Sequence, residues 1–512
     1  MKFFCAFALA SILAWFCTQL SAQTLVVGPN LNINRQTGYQ AEEAIAIDPS
    51  NPNRLFAWSN DLNGRNSAGY STNGGASWTS RFTGADGWPA LGGDPTCSFD
   101  KFGNLFAASF RSNFASILIR ASTNGGQTFS NALLTITSPL LDQPTIKAGP
   151  GISAGQQAVW VFYLNSPMVA RGAAVTGLGA FGAFGSELAI PDSDNGNFGD
   201  IAIGPNGQVV VAFQTPADGT EPCSIEFALN SSGSTSGSFT LSPTTISINV
   251  GGFRSIPAQP TRTVDAEVGL AYDISNGPHR GRLYLVYTDA ASTSTDDLNI
   301  FLRYSDDDGS TWSSPVRVND DTGSNSQFFS KIALDPVTGN IGVAWYDCRN
   351  SSANNRVELW AAVSVDGGVS FLPNVKVSAG STSGIGKGGG NELGDYIGLD
   401  FYNNALYPCW ADDSNSTGDN PSGTSNLDYY TARVTFVPPA VPPLAIAAAQ
   451  LTGSGEVLTL TWTNNVANVV LESTGALPGT WSTVNTPRVT NGNFVVTTVT
   501  NAAMAQFYRL RR

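Results

Sequence analysis

One eight-residue pattern occurs four times in this chain and constrains its fold more than any other feature. Its fullest copy is Ser305-Asp-Asp-Asp-Gly-Ser-Thr-Trp312; the others run Ser71–Trp78, Ser122–Phe129 and Ser364–Phe371. Each holds a serine, then Asp or Asn, a glycine, a hydroxyl residue and an aromatic at the same offsets. An Asp or Asn side chain at that position accepts hydrogen bonds from turn amides, while the glycine adopts angles that a side chain forbids. The aromatic then packs the turn against a sheet. The pattern is therefore a folding device at hairpin corners, and its recurrence predicts a repeat architecture.

A second element recurs between these turns: a hairpin of two short, aliphatic strands. Its first strands begin at Glu43, Asp94, Asp142, Asp200, Val268, Ser330 and Asp395. The spacing, about 50 to 65 residues, is that of a four-stranded blade. Uninterrupted aliphatic runs such as Val209-Val-Val-Ala-Phe213 fit strands covered on both faces. Weaker turns near Thr176-Gly177 and Ser231 to Gly233 fill the third and fourth units. The last unit has a third strand, Leu427 to Val434, but no fourth, and Thr24 to Gly28 is predicted to supply it. The expected fold is all-β: a seven-bladed β-propeller, with six blades as the alternative, over residues 23–436. A Pro-rich linker (437–443) precedes a small β-sandwich (444–512), read from its alternating apolar and polar residues.

Residues 1–22, with one lysine, an apolar run and a small-residue exit at Ser21-Ala22, read as a secretory signal peptide. The expectation is a secreted (extracellular or periplasmic) monomer with no membrane insertion. A formal net charge of −13 argues against a nucleic-acid partner. The chain has one histidine, His279, in a turn, which removes Ser-His-Asp triads and multi-histidine metal sites. Past the leader stand four cysteines, Cys97, Cys223, Cys348 and Cys409. Cys348 and Cys409 occupy like positions in consecutive repeats, so they either pair or remain buried thiols.

The repeated turn resembles the Asp-box (BNR) repeat of the sialidase-like β-propellers. Trp345-Tyr-Asp-Cys-Arg-Asn350 and Gly394-Asp-Tyr-Ile-Gly-Leu399 resemble segments of bacterial members of that group, and the likeness spans residues 24 to 436. It implies a glycan-facing surface and, in the enzymes, exo-glycosidase chemistry with an arginine triad, a tyrosine–glutamate nucleophile pair and an aspartate acid/base. Phe253-Arg-Ser-Ile-Pro257 is a near match, with an insertion, to the motif of the first such arginine. The segments Leu471-Glu-Ser-Thr474 and Phe507-Tyr-Arg-Leu510 resemble fibronectin-like modules that close secreted bacterial proteins.

In a propeller, loops that start first strands and end second strands ring the axis. Here they carry Glu43, Asp94, Asp142, Asp200, Asp265, Glu267 and Asp395, and then Asp61, Asp289, Asp347 and Asp412. Arg111, Lys331 and Arg349 are the cations among them. Converging carboxylates raise one another's pKa values and generate the acid and base that glycoside hydrolysis uses. The catalytic candidates are Asp347, Asp395 and Tyr346; the substrate-binding candidates are Arg111, Arg349, Asp61, Asp94 and Tyr396. Trp58, Tyr163, Tyr287, Trp345, Tyr346, Tyr396 and Trp410 are candidates for stacking on sugars. An oxygen-rich mouth also suits Ca²⁺, and Asp192 to Asp200 has a calcium-like spacing. Two function classes stay open: a glycosidase acting on an extracellular glycan or glycoprotein, and a non-catalytic module, calcium-dependent or not, that binds one.

Overall fold

The computed structural model describes residues 23–84, 90–438, 445–452, 455–463, 469–474, 480–491, 494–501 and 507–511. The leader expected at 1–22 and most of the expected linker lie outside the described residues. The chain divides into two compact units, Leu25–Phe436 and one beginning at Val437.

The larger unit is built from antiparallel sheets of one plan. Sheet I starts with Ala44–Ile47 and sheet II with Leu91–Phe99. Sheet III starts with Asp142–Pro150, IV with Asn197–Ile203, V with Gly269–Tyr272, VI with Gln327–Leu334 and VII with Gly398–Tyr402. The first strand of each sheet lies against that of the next, and sheet VII closes on sheet I. The fold is thus an all-β propeller arrangement with the first strands around its axis. An apolar cluster fills each interface: Phe56, Trp58 and Leu105 between I and II, for example, and Tyr284, Ile300, Ile341 and Trp345 between V and VI. Each large aromatic buried this way contributes on the order of 2–3 kcal/mol.

Sheet VII depends on the N-terminal residues. Its third strand is broken at Ala432-Arg433 into Asp428–Thr431 and Val434–Val437. Leu31 and Asn32 pair with Thr431 and Tyr430, and Thr24–Val27 borders the second piece, with the Gly28 amide donating to the Arg433 carbonyl at 2.8 Å. The expected strand Thr24 to Gly28 is therefore present, but Leu31–Asn32 covers the part nearest Tyr430. Closure of this kind protects a sheet edge.

All four repeated turns share one bonding pattern. The Ser305 hydroxyl donates to Asp307 (2.7 Å) and accepts from the Gly309 amide (2.8 Å), while Asp307 accepts from the Thr311 amide (2.8 Å). Ser71/Asn73, Ser122/Asn124 and Ser364/Asp366 repeat it. Trp312 then packs on Phe227, ring centres 4.7 Å apart.

The four described cysteines are free thiols, so Cys348 and Cys409 do not pair. In the C-terminal unit, Ala445–Thr452, Gly455–Thr463, Phe494–Asn501 and Arg488–Asn491 form one antiparallel sheet, and Ser482–Thr483, Val470–Thr474 and Phe507–Arg511 another. Leu458, Leu460, Trp462, Leu471 and Val499 share a core.

Candidate functional site: an acidic axial mouth

A backbone irregularity repeats at the start of the first strands. Glu42, Asp94, Gln143, Phe198, Glu267 and Phe329 occupy the same position in sheets I to VI, each with positive φ: 59, 44, 38, 53, 38 and 51°. Register shifts accompany it in sheets II, III, IV and VI. Non-glycine residues seldom adopt this region, at a cost of about 1–3 kcal/mol each, and bulges with such residues re-aim side chains next to functional sites.

A cavity of about 550 Å³ opens at this end of the axis, lined by Asp142, Gln143, Phe198, Phe253, Arg262, Asp265, Gly389, Gly390 and Asp395 among others. A narrower space of about 70 Å³ is lined by Thr96, Thr145, Glu267, Lys331 and Tyr396 among others.

The central cation comes from a segment outside the repeat. Between sheets IV and V, Arg254–Ile256 and Gln259–Val264 form a hairpin, clamped to the loop that precedes sheet VII. Gln259 bonds the Gly394 carbonyl (3.0 Å) and the Leu393 amide (2.9 Å), and the amides of Thr261 and Arg262 both donate to Glu392 at 3.1 Å. Tyr39 donates to the Glu392 carbonyl at 2.9 Å. So held, Arg262 donates through Nε to Asp395 Oδ1 at 2.7 Å and through Nη2 to Asp395 Oδ2. The same Nη2 reaches Glu42 at 3.4 Å, and the other Glu42 oxygen accepts from Asn60.

Loss of solvent dominates the electrostatics, and like charge adds to it. Asp94 is pushed up to about 8 by burial, then by Asp142 and Asp395, while the Gln143 amide (3.2 Å) and Arg262 oppose the shift. Glu42 lies well above the carboxylate range through burial, Asp395 and Asp94. Asp395 is also raised by burial, with Arg262 acting against it. Glu267 reaches about 7 through burial, restrained by Lys331, whose Nζ lies 3.3 Å from it. The arrangement can hold protonated and ionised carboxyl groups side by side near neutral pH.

The sequence candidates separate sharply. Asp94, Asp395 and Tyr396 come together at the mouth; Asp347 and Tyr346 do not join them. Asp347 accepts from Trp345 Nε1 (2.8 Å), from the Arg349 amide (2.7 Å) and Nε (2.9 Å), and from Gln327 (3.3 Å). Arg349 continues outward to Asp320 (2.8 Å) and lies over the Trp360 ring. The pocket expected to join Asp347 with Asp395 therefore does not form, because second-strand ends sit away from the axis and are capped locally. Asp412 repeats this with Ser414 and Trp410, and Asp61 accepts from Asn63 and Arg65. The Tyr346 hydroxyl accepts from the Ala411 amide at 2.9 Å, and burial raises its pKa, so it serves the core rather than chemistry. Arg111 is exposed at a strand end of sheet II. The stacking candidates Trp58, Tyr163, Tyr287, Trp345 and Trp410 are all buried core residues. Arg254, of the near-match motif, is tied to Glu221 at 3.0 and 2.9 Å. Glu43 is buried with Tyr346, Cys409 and Tyr429 in its electrostatic surroundings.

Among the described residues, no three or more His, Cys, Asp or Glu side chains are disposed to hold a metal ion. In the Asp192 to Asp200 segment, Asp200 accepts from the Leu270 amide at 3.0 Å and Asp194 from Ser166 at 3.3 Å.

No protein-family model matches the chain, and no curated protein matches it. Among solved structures, it is similar to a lectin from Burkholderia pseudomallei (13% identity, TM-score 0.48, covering 77% of this chain and 96% of that one). It is also similar to an α-L-arabinofuranosidase from Fusarium graminearum (12%, 0.40, covering 66% and 98%) and to a Hadza microbial sialidase (14%, 0.35, covering 60% and 63%). Likenesses this distant do not bear on function.

Proposed function

We propose that Leu25–Phe436 is a seven-bladed, sialidase-like propeller that hydrolyses glycosidic bonds of extracellular glycans at its axial mouth. The observation that carries this reading is the carboxyl cluster at Asp94 and Asp395, with Arg262 gripping only the latter. Asp94, near 8, is protonated at neutral pH and is the candidate general acid. Asp395, whose charge Arg262 favours, is the candidate base or nucleophile. Glycoside hydrolysis needs such a pair with separated pKa values. Tyr396 and Glu42 shape the site beside them. The leader-like residues 1–22 support export, and the C-terminal unit is read as a β-sandwich module.

The alternative is that the mouth binds a glycan or glycoprotein without turnover. It is favoured by the engagement of Tyr346 with backbone, which leaves no tyrosine nucleophile at that position. A panel of chromogenic glycosides, assayed with wild type, Asp94→Asn and Asp395→Asn, tests the proposal. Turnover abolished in both variants with no loss of melting temperature supports hydrolysis; no turnover of any glycoside by the wild type rejects it.

A further inference from the structure

The wall of the mouth that carries no carboxylate is aromatic. Phe253 is 60% exposed, and it borders the 550 Å³ cavity. Phe198 stands edge-on behind it, ring centres 5.5 Å apart at 79°. Both backbones are left-handed, φ 53° at Phe198 and 61° at Phe253. For a bulky aromatic this conformation is a true outlier, and a fold retains such strain where the side-chain direction matters. The surroundings enforce it. A Cβ on Gly252 would come within 2.8 Å of the Phe198 ring, so only glycine lets the segment approach. On the other side Arg254 is anchored by Glu221 and by the Thr295 carbonyl at 2.6 Å. The exposed ring is thus mounted on fixed backbone at the rim of an acidic pocket.

The charges define what such a pocket accepts. Among its described lining residues the cation is Arg262, already in ion pairs with Asp395 and Glu42, while Lys331, beside the narrower space, is paired with Glu267. A sugar carboxylate would meet Arg262 only where Asp395 and Glu42 already hold it, and would face Asp142, Asp265 and Asp395. An uncharged ring instead offers its C–H face to an aromatic and its hydroxyls to carboxyl groups. A cavity of about 550 Å³ also falls within the range of roughly 300–1,000 Å³ typical of pockets that enclose a whole small ligand.

Resting on the glycan reading of the mouth, we propose that Phe253, backed by Phe198, is the stacking platform of a binding subsite for an uncharged sugar unit. That unit adjoins the one held at Asp94 and Asp395, so the ligand is a neutral oligosaccharide rather than a sialylated or uronic-acid-bearing one.

The test is an array of neutral gluco-, galacto-, xylo- and arabino-oligosaccharides of two to five units, beside sialylated and uronate counterparts. Calorimetry on the best ligand then compares wild type with Phe253→Ala, Phe253→Trp and Asp94→Asn. We expect Phe253→Ala to weaken binding about tenfold, the scale of one lost aromatic contact. Phe253→Trp should retain affinity, and binding of the corresponding methyl monosaccharide should be unchanged in both Phe253 variants. Equal oligosaccharide affinity in wild type and Phe253→Ala overturns the platform while leaving the mouth as a glycan site. Preference for acidic glycans overturns the charge argument, and no binding of any neutral oligosaccharide overturns both. If Phe253→Ala weakens binding but Asp94→Asn turns substrate over normally, the subsite stands and the catalytic reading falls.

Discussion

Arg262 and Asp395 are separated by 133 residues, yet two nitrogens of the guanidinium meet both oxygens of the carboxylate. The pair connects the hairpin before sheet V with the loop before sheet VII and supplies positive charge where four carboxyl groups crowd. Replacing the arginine with glutamine leaves Asp395 and Glu42 without that charge, and their folded pKa values rise further. A carboxyl whose folded pKa is raised destabilises the fold progressively as pH climbs from its unfolded value toward its folded one. Arg262→Gln should therefore melt near wild type around pH 4 and progressively lower as pH rises to 8. Under the hydrolytic reading, its acidic pH–rate limb also moves upward. Melting curves across pH check this; an equal loss of stability at every pH would refute it.

Asp94 and Glu267 give the converse prediction. Their folded values, about 8 and about 7, exceed the ordinary carboxylate range, so the folded state holds protons that the unfolded chain releases above about pH 4. The sign is a loss of stability with rising pH, between about 4 and 8. Asp94→Asn removes one such proton and should stabilise the protein at pH 8 by on the order of 2 kcal/mol, and by almost nothing at pH 4. Thermal or urea unfolding at the two pH values measures the difference.

The contrast between these residues and the sequence candidates explains what the chain discloses in one dimension. The repeated turns were legible because Ser305, Asp307, Gly309 and Thr311 bond one another within seven residues. Asp94 and Asp395 were legible because each precedes an aliphatic strand. Glu42 was hidden by its neighbour: the bulge turns Glu42 to the mouth and leaves Glu43 buried near Tyr346 and Tyr429. Arg262 belongs to a hairpin outside the repeat and Glu392 to the loop before sheet VII, joined over more than a hundred residues. Only a signal from long-range pairing would have found them. Asp347 and Asp412 misled because both start and end of a hairpin looked axial, whereas Trp-x-Asp in both places is a local cap.

Asp347→Asn tests that distinction. The carboxylate is fully buried and receives Trp345, Gln327 and both the amide and guanidinium of Arg349. Removing its charge leaves Arg349 facing a neutral amide, a change that costs about 2–4 kcal/mol. The variant should melt several degrees lower while the folded fraction keeps its ligand affinity. Asp395→Asn should do the reverse, losing binding or turnover with little change in melting. Matching behaviour of the two variants would contradict the separation of cap from site.

The repeated turn supplies the last prediction. Burial pushes the Asp307 carboxyl up, but Asp307 accepts from both the hydroxyl and amide of Thr311 and from Ser305, and these donors together outweigh burial and hold it below the usual range. A depressed folded pKa gives stability that is present above the unfolded value and lost as pH falls through the folded one. Asp307→Ala should thus cost about 1–2 kcal/mol at pH 7, as for other lost turn and capping bonds, and progressively less below pH 4. Trp312→Ala removes the ring that packs on Phe227 and should cost about 2–4 kcal/mol with no such pH dependence. Neither change reaches the axial mouth, so ligand affinity of the folded protein should match wild type. Chemical denaturation at pH 3 and pH 7, with a binding titration beside it, separates the outcomes. Full stability with lost binding in either variant would make the turn itself a binding site.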